Sequence, residues 1–232
     1  MTEAQKKVQG IDRLAIFPLP LVLMPRELLP LHIFEEKYRE MLRDVSQTDN
    51  IFGINLFEPD EDFLDRPKLG SIGCAAEIRE VHSLPDGRSN IVTLGAIRYR
   101  LIDFIDTSEP YLIGDVEFFE DLNEDPALLH RVANEVFEIF ERIAKAAFKM
   151  SGNRGRFPEI TRTDPESFSF LAAAAFNFEN DFKYRLLEMT STIERLEKLR
   201  AILEKTVDQM EENAAVQKLA QSNGHSKKKL DI

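Results

Sequence analysis

The sequence predicts an α+β chain: a mostly antiparallel sheet or small barrel with one early helix, followed by a helical half. Three observations carry this. Before about residue 121 the apolar runs are short and broken by proline and glycine, whereas after it apolar residues recur with helical period almost to the end. Within the first half two strand-like runs flank Leu84 to Arg88 (LPDGR), whose Pro-Asp-Gly chemistry closes a hairpin. No long helix interrupts the strand-like runs, so they are free to pair as hairpins.

The elements follow in order. Residues 11–20 read as an extended segment interrupted by proline, fit for an edge or irregular strand. Phe34, Tyr38, Met41, Leu42 and Val45 make one helical face, with Glu35, Glu36, Lys37 and Arg39 mostly on the other. Residues 51–57 (IFGINLF) are strand-like, and 58–66 (EPDEDFLDR) a polar acidic loop. Residues 72–83 form the outgoing hairpin arm. The return arm runs 91–94, breaks at Gly95 and resumes over 97–105, where Ile97, Tyr99 and Leu101 alternate with Arg98 and Arg100. Residues 111–119 supply one further strand.

In the second half Leu129, Val132, Val136, Phe140, Ile143 and Ala147 mark a long helix, and a loop rich in glycine and arginine follows (MSGNRGRFPEITRT). Asp164, Pro165 and Glu166 are the N-cap, first-turn proline and early acid of a helix carrying the run FLAAAAF. Ser191 and Glu194 have capping-box spacing and open a last helix with Leu196, Leu199, Leu203 and Val207 inward. The organisation expected is a sheet subdomain over 11–120, a helical subdomain over 121–210 and a disordered polar tail over 211–232.

Composition narrows the function. Of 232 residues 43% are hydrophobic, enough for a real core, and the net charge is −11. That charge disfavours nucleic acid, since phosphate binding needs a basic face. The single cysteine, Cys74, forms no internal disulfide, and no segment reads as a signal peptide or membrane span. The expectation is a cytoplasmic chain with no membrane partner.

Catalytic chemistry has no signature. Phosphate-loop, G-x-S-x-G and H-E-x-x-H motifs are absent from the sequence. His32, His82, His130 and His225 lack metal-ligand spacing, and the acidic loop lacks the EF-hand order. No catalytic residue, metal ligand or cofactor is assigned.

The segment LAIFPLPLVLMPRELLPLHIFEEKYREML resembles the start of the N-terminal substrate-binding domain of the Lon family of ATP-dependent proteases. The motif is Leu29-Pro30-Leu31-His32-Ile33-Phe34-Glu35, with Tyr38 and Arg39 at the family's spacing. Further matches are IFGINLF, GCAAEIREV, the LPDGR hairpin, GAIRYRL, and the helical run from DPESFSFLAAAAF to ERLEKLRAIL, together covering about residues 11–207. The resemblance implies a PUA-like antiparallel pseudo-barrel with a short helix, followed by a C-terminal helical bundle. Prolines there end strands and steer the chain around a corner, and Pro18, Pro20, Leu31, Ile33 and Phe34 pack. After Met24-Pro25 this chain has Arg26 and Glu27, where the family usually carries small or glycine-rich residues.

The chain stops where Lon would continue into its ATPase and serine–lysine protease domains. The resemblance therefore implies a stand-alone, non-enzymatic module that binds unfolded or degron-bearing polypeptides, working beside a protease or chaperone in ATP-dependent proteolysis. Contact candidates are the loop residues outside any periodic pattern: Met24, Leu28, Leu29, Phe63 and Leu64. The alternative is RNA or a small anionic ligand held by Arg154, Arg156 and Arg162, with Arg98 and Arg100 on the barrel. Truncation after Glu120 is expected to expose apolar surface, because neither half gains much from local propensity alone.

Overall fold

A two-residue alternation sets the barrel. In β1 (Arg13–Leu19), Leu14 and Ile16 point into one apolar cluster and Ala15 and Phe17 into another. The computed structural model describes residues 1–58, 66–151 and 156–223, with the side chains of those up to 210 other than Lys149. Ahead of β1, helix α1 (Glu3–Lys7) is held by a capping box between Thr2 and Gln5. After it come β2 (Leu28–Ile33), α2 (Glu36–Ser46), β3 (Ile51–Leu56), β4 (Ile72–Ser83), β5 (Ser89–Ile105) and β6 (Leu112–Phe119).

Among the described residues these strands form one six-stranded sheet in the order β2-β5-β4-β3-β1-β6. An added β5–β6 pairing closes five of them into a barrel and leaves β2 outside the ring. The β1–β3 pair is parallel, because β2 and α2 form the crossover between them, and the other pairings are antiparallel. The expected α+β class and pseudo-barrel hold, with that parallel pair inserted.

Strand β5 organises the sheet. It pairs with β4 over Ser89 to Arg100, with β2 over Ser89 to Leu94, and with β6 over Arg98 to Ile105. The break expected at Gly95 does not end the strand; it marks the change of neighbour, with a register irregularity opposite at Ala75 and Ala76. One cluster packs the Tyr38, Met41, Leu42 and Val45 face of α2 against Phe17, Phe52, Ile54 and Ile91. The other gathers Leu14, Ile16, Ile97, Leu101 and Val116 around Tyr99.

Tyr99 is fully buried, and its hydroxyl donates to Asn55 Oδ1. Gly53 and Gly73 give the ring its space: a Cβ at Gly53 would lie 2.4 Å from the hydroxyl, and one at Gly73 2.5 Å from Cζ.

The helices are α3 (Pro126–Met150), α4 (Pro165–Ala174), α5 (Asn180–Glu188) and α6 (Thr192–Asn223). The helix expected to carry FLAAAAF ends at Ala174, inside that run, and α5 follows after residues 175–179. Residues 211–223 of the expected polar tail continue α6, and 224–232 lie outside the described residues.

The chain groups into two units, which split differently from the 120/121 division in the sequence. The first takes residues 1–123 together with 166–192, so α4 and α5 go with the sheet. The physical link is polar. Tyr184 of α5 accepts the Ile72 N–H at its hydroxyl, 2.9 Å away, and Arg98 of β5 donates to the carbonyls of Leu187 and Met189. Ala172 and Ala173 of α4 are fully buried, small enough for close packing. The second unit holds α3 and α6, where Arg200 of α6 pairs with Glu135 of α3 at 2.7 Å. Leu196, Leu199, Leu203 and Val207 of α6 are buried as expected, and Thr192 and Arg195 are buried on the same helix.

Candidate functional site

The segment RELLPLHIF resolves into an open-edged strand. Pro30 removes a donor but is accepted because β2 is the last strand in the sheet order, bonded among the described residues to β5 alone. Alternation then sorts the side chains. Leu29, Leu31 and Ile33 pack into the α2 cluster, and Leu28, Pro30 and His32 face outward. Phe34 continues the outward row, its ring 6.0 Å from that of His32, and Leu28 and Phe34 are 63% and 59% exposed. Across β5 the partners of Leu28 and Pro30 are Leu94 and Val92, both half-buried. The result is an apolar stripe beside unpaired backbone groups. Phe34, expected to pack, is instead on the surface, because α2 begins only at Glu36 and its buried face starts at Tyr38.

The turn before β2 explains Met24. Glu27 N–H donates to Met24 O at 3.1 Å, with Pro25 leading and Arg26 at φ +69°, a conformation that favours glycine. Glu27 Oε2 accepts the Met24 N–H at 2.9 Å, and burial raises this carboxyl's pKa above its ordinary range. The turn sits on Gly95: Arg26 N–H donates to Gly95 O at 2.8 Å, Gly95 N–H donates to Glu27 O at 2.9 Å, and a Cβ on Gly95 would collide with Met24 O at 2.1 Å. Met24 is therefore wholly buried and presents nothing to a partner. Of the other contact candidates, Leu28 is exposed, Leu29 is half-buried in the core, and Phe63 and Leu64 lie outside the described residues.

The basic residues separate. Arg98 is 1% exposed and ion-paired to Asp121, whose other oxygen accepts from Thr192 Oγ1. Its guanidinium lies 5.0 Å from the Phe170 ring centre and 4.6 Å from that of Phe119. It is a core residue, not a surface cation, because α4 and α5 cover the face of β5 that alternation had left to solvent. Arg100 is exposed and donates to Gly70 O at 3.2 Å. Arg162 donates to Asn134 and lies 4.2 Å from the Phe137 ring centre. Arg156 is exposed, and Arg154 is outside the described residues.

A wide hollow of about 690 Å³ opens at the β5–β6 turn, where Lys37, Tyr38, Arg66, Phe104, Asp106 and Tyr111 line it. Its cations are engaged: Lys37 with Glu35 at 3.5 Å, and Arg66 over Phe104. Beside it Glu40, Asp44 and Glu109 bring three carboxylates within 4.8 Å, the group among the described residues that could hold a metal ion. Asp44 already accepts the Tyr111 hydroxyl at 2.9 Å, and a surface acidic trio is ordinarily solvated. Cys74 is buried, which pushes its thiol up to about 12, so it is no nucleophile at neutral pH. Among the described residues, none of these groups assembles a nucleophile, base and oxyanion donor. No helix among the described residues is long and apolar enough to cross a membrane.

Comparison with known proteins agrees with this frame. Lon protease 2 of Herpetosiphon aurantiacus is 23% identical over 218 residues, 91% of this chain but 26% of that protein. Lon protease 1 of Hydrogenovibrio crunogenus is 26% identical over 216 residues, 91% of this chain and 25% of that protein. The chain thus spans about a quarter of the length of these curated relatives. Among solved structures, the Lon N-terminal domain protein of Xanthomonas campestris aligns with TM-score 0.59 at 21% identity, covering 82% of this chain and 98% of that one. The N-terminal domain of the Mycobacterium avium complex Lon protease aligns with TM-score 0.60 at 18% identity, covering 83% and 98%. At these identities the structures establish the fold. The family follows from the sequence, whose residues 13–205 match the profile of the substrate-binding domain of ATP-dependent protease La (LON): the chain belongs to that family.

Proposed function

We propose that this chain binds polypeptide substrates without cutting them, holding an unfolded or degron-bearing segment in extended form along β2. The observation that carries this reading is the coincidence of an open strand edge with an outward apolar row, Leu28, Pro30 and Phe34. Main-chain groups on the edge supply sequence-independent hydrogen bonds, and the row supplies apolar contact with alternate side chains. Isolated exposed apolar residues are ordinary, but two large ones on one face of one edge strand make a patch. Leaving a Leu or Phe side chain in water forgoes about 1.5–3 kcal/mol of burial each, which a bound segment would recover in part. Handing that segment to an ATP-dependent protease, in the cytoplasm, is the role this binding would serve.

The test is fluorescence anisotropy of a labelled, permanently unfolded protein titrated with the full chain and with Leu28→Ser/Phe34→Ser. Both positions are exposed, so the variant is expected to keep its thermal midpoint while binding about tenfold more weakly, or 1.4 kcal/mol. Equal affinity in the two proteins would remove β2 as the binding surface. The RNA reading gains no support from Arg98, which is buried, or from Arg162, which is already engaged.

A further inference from the structure

An arginine pair on α2 has donors with no acceptor. Arg39 and Arg43, one turn apart, line two adjoining hollows of about 260 and 280 Å³. The first is completed by Val81, Ser83 and Ser89 of β4 and β5, and both by Gly87 at the hairpin turn. Arg39 Nε is buried and has no hydrogen-bond partner. The remaining contact of its guanidinium with a carboxylate is long, 3.8 Å to Glu36. Arg43 is exposed and forms no ion pair or hydrogen bond among the described residues.

A buried N–H without an acceptor is destabilising, since it has lost its water and gained nothing in return. The fold nevertheless keeps Arg39 in place. Gly87, at φ +82°, leaves room for it, since a Cβ there would come 2.8 Å from Nη1. In a chain of net charge −11, two arginines whose donors are spare on one small cleft are an exception to the local trend.

We infer that the cleft between α2 and the β4–β5 hairpin is a site for a single carboxylate, held by the Arg39 and Arg43 guanidiniums. Guanidinium forks match carboxylate geometry, and such bonds are stronger than neutral ones. Glu36 and Glu40 share the second hollow, so a dianion such as phosphate meets more repulsion than a monoanion does. Ser89 of the cleft pairs in register with Ile33 at the end of β2, so the carboxylate would come from the polypeptide on that strand. This source rests on the function proposed above. It would be the segment's C-terminus or an Asp or Glu side chain.

The site is read directly by NMR of the arginine Nε–H signals in the full chain, titrated with sodium acetate and, separately, with inorganic phosphate at fixed ionic strength. Arg39→Lys assigns the signal. It is expected to shift and saturate with acetate, with Arg43→Gln weakening the effect about threefold to fivefold, as for partly exposed charge pairs. A shift no larger than that of exposed Arg13, or saturation by phosphate alone, would overturn the carboxylate site. The source is read by anisotropy of one apolar peptide in three forms: free C-terminus, C-terminal amide, and amide with an internal Glu. Tighter binding of a carboxylate form, lost in Arg39→Gln/Arg43→Gln, supports delivery by polypeptide and identifies which carboxylate. Equal binding of all three forms overturns that delivery while leaving substrate binding intact. Binding of none, with acetate still saturating, removes the polypeptide reading and leaves a carboxylate site.

Discussion

Arg98 and Asp121 form an ion pair in which both side chains are almost fully buried, 1% and 3% exposed. The pair ties the middle of β5 to the chain leaving β6, while the same guanidinium holds the carbonyls at the end of α5. Such a pair is weak evidence for net stability, but breaking it is costly because the survivor remains charged and desolvated. Asp121→Ala is therefore expected to lose about 3–5 kcal/mol in urea unfolding. Arg98→Met/Asp121→Leu should lose less than either single variant; a double variant that is additive would show that the charges are not coupled.

The same pair changes the reason for the truncation effect. A fragment ending at Glu120 lacks Asp121, the α5 carbonyls and Phe170. Arg98 would then lose those contacts, the face of β5 that α4 and α5 cover would open to water beside Phe119, and Tyr184 would no longer meet Ile72 N–H. The fragment is expected to bind a hydrophobic dye and to unfold without a cooperative transition. Cooperative unfolding at the full chain's midpoint would show that α4 and α5 are dispensable to the barrel.

At the barrel centre Tyr99→Phe removes the donor to Asn55 Oδ1, whose amide nitrogen still donates to Ser71 Oγ at 3.0 Å. One buried acceptor left unmade costs about 1–3 kcal/mol, without steric damage. Gly53→Ala and Gly73→Ala should each cost more, since Tyr99 is enclosed and cannot retreat from a Cβ at 2.4–2.5 Å. Denaturant midpoints rank the three; a Gly73→Ala protein as stable as the parent would mean the ring has room the structure does not show.

Glu27 gives stability a pH dependence. Burial raises its carboxyl pKa, with the Met24 N–H and Lys183 pulling in the opposite direction. The folded pKa lies above the unfolded one, so on raising pH the unfolded chain loses its proton first and stability falls through that window. Glu27→Gln cannot ionise and keeps an oxygen for the Met24 N–H. Its thermal midpoint relative to the parent should rise between about pH 4 and pH 7. A constant difference across that range would mean Glu27 titrates alike in both states.

Much of the barrel was legible because alternation and turn chemistry are local. The face of α2, the β4–β5 hairpin and the LPDGR turn follow from spacing alone. Strand β2 was not legible, since LLPLHI has no polar alternation and contains a proline; only its position at the sheet edge makes that tolerable. The burial of Arg98 was hidden for the opposite reason. IRYRL alternates cleanly, and what covers its polar face comes from residues about 70–90 positions later. Phe34 was misplaced because it fits the helical period of α2 although the helix starts after it. The Arg39 site left no trace in sequence, because an unmet donor is a property of packing.

Closure of the barrel also sets how it is reached. Strand β1 pairs with β6, so Arg13 meets Asp115 about a hundred residues downstream, and β5 must find β2, β4 and β6. The β4–β5 and β5–β6 hairpins are local, but the β1–β6 and β2–β5 pairings are not, and loop-closure entropy must be met before those return anything. Folding rates for such topologies run from about milliseconds to seconds, against microseconds for simple helical bundles. During synthesis β1 emerges long before its partner strands exist, and Arg98 emerges well before the carbonyls that will hold it. The nascent domain is thus itself, for a time, an unfolded segment with an open edge.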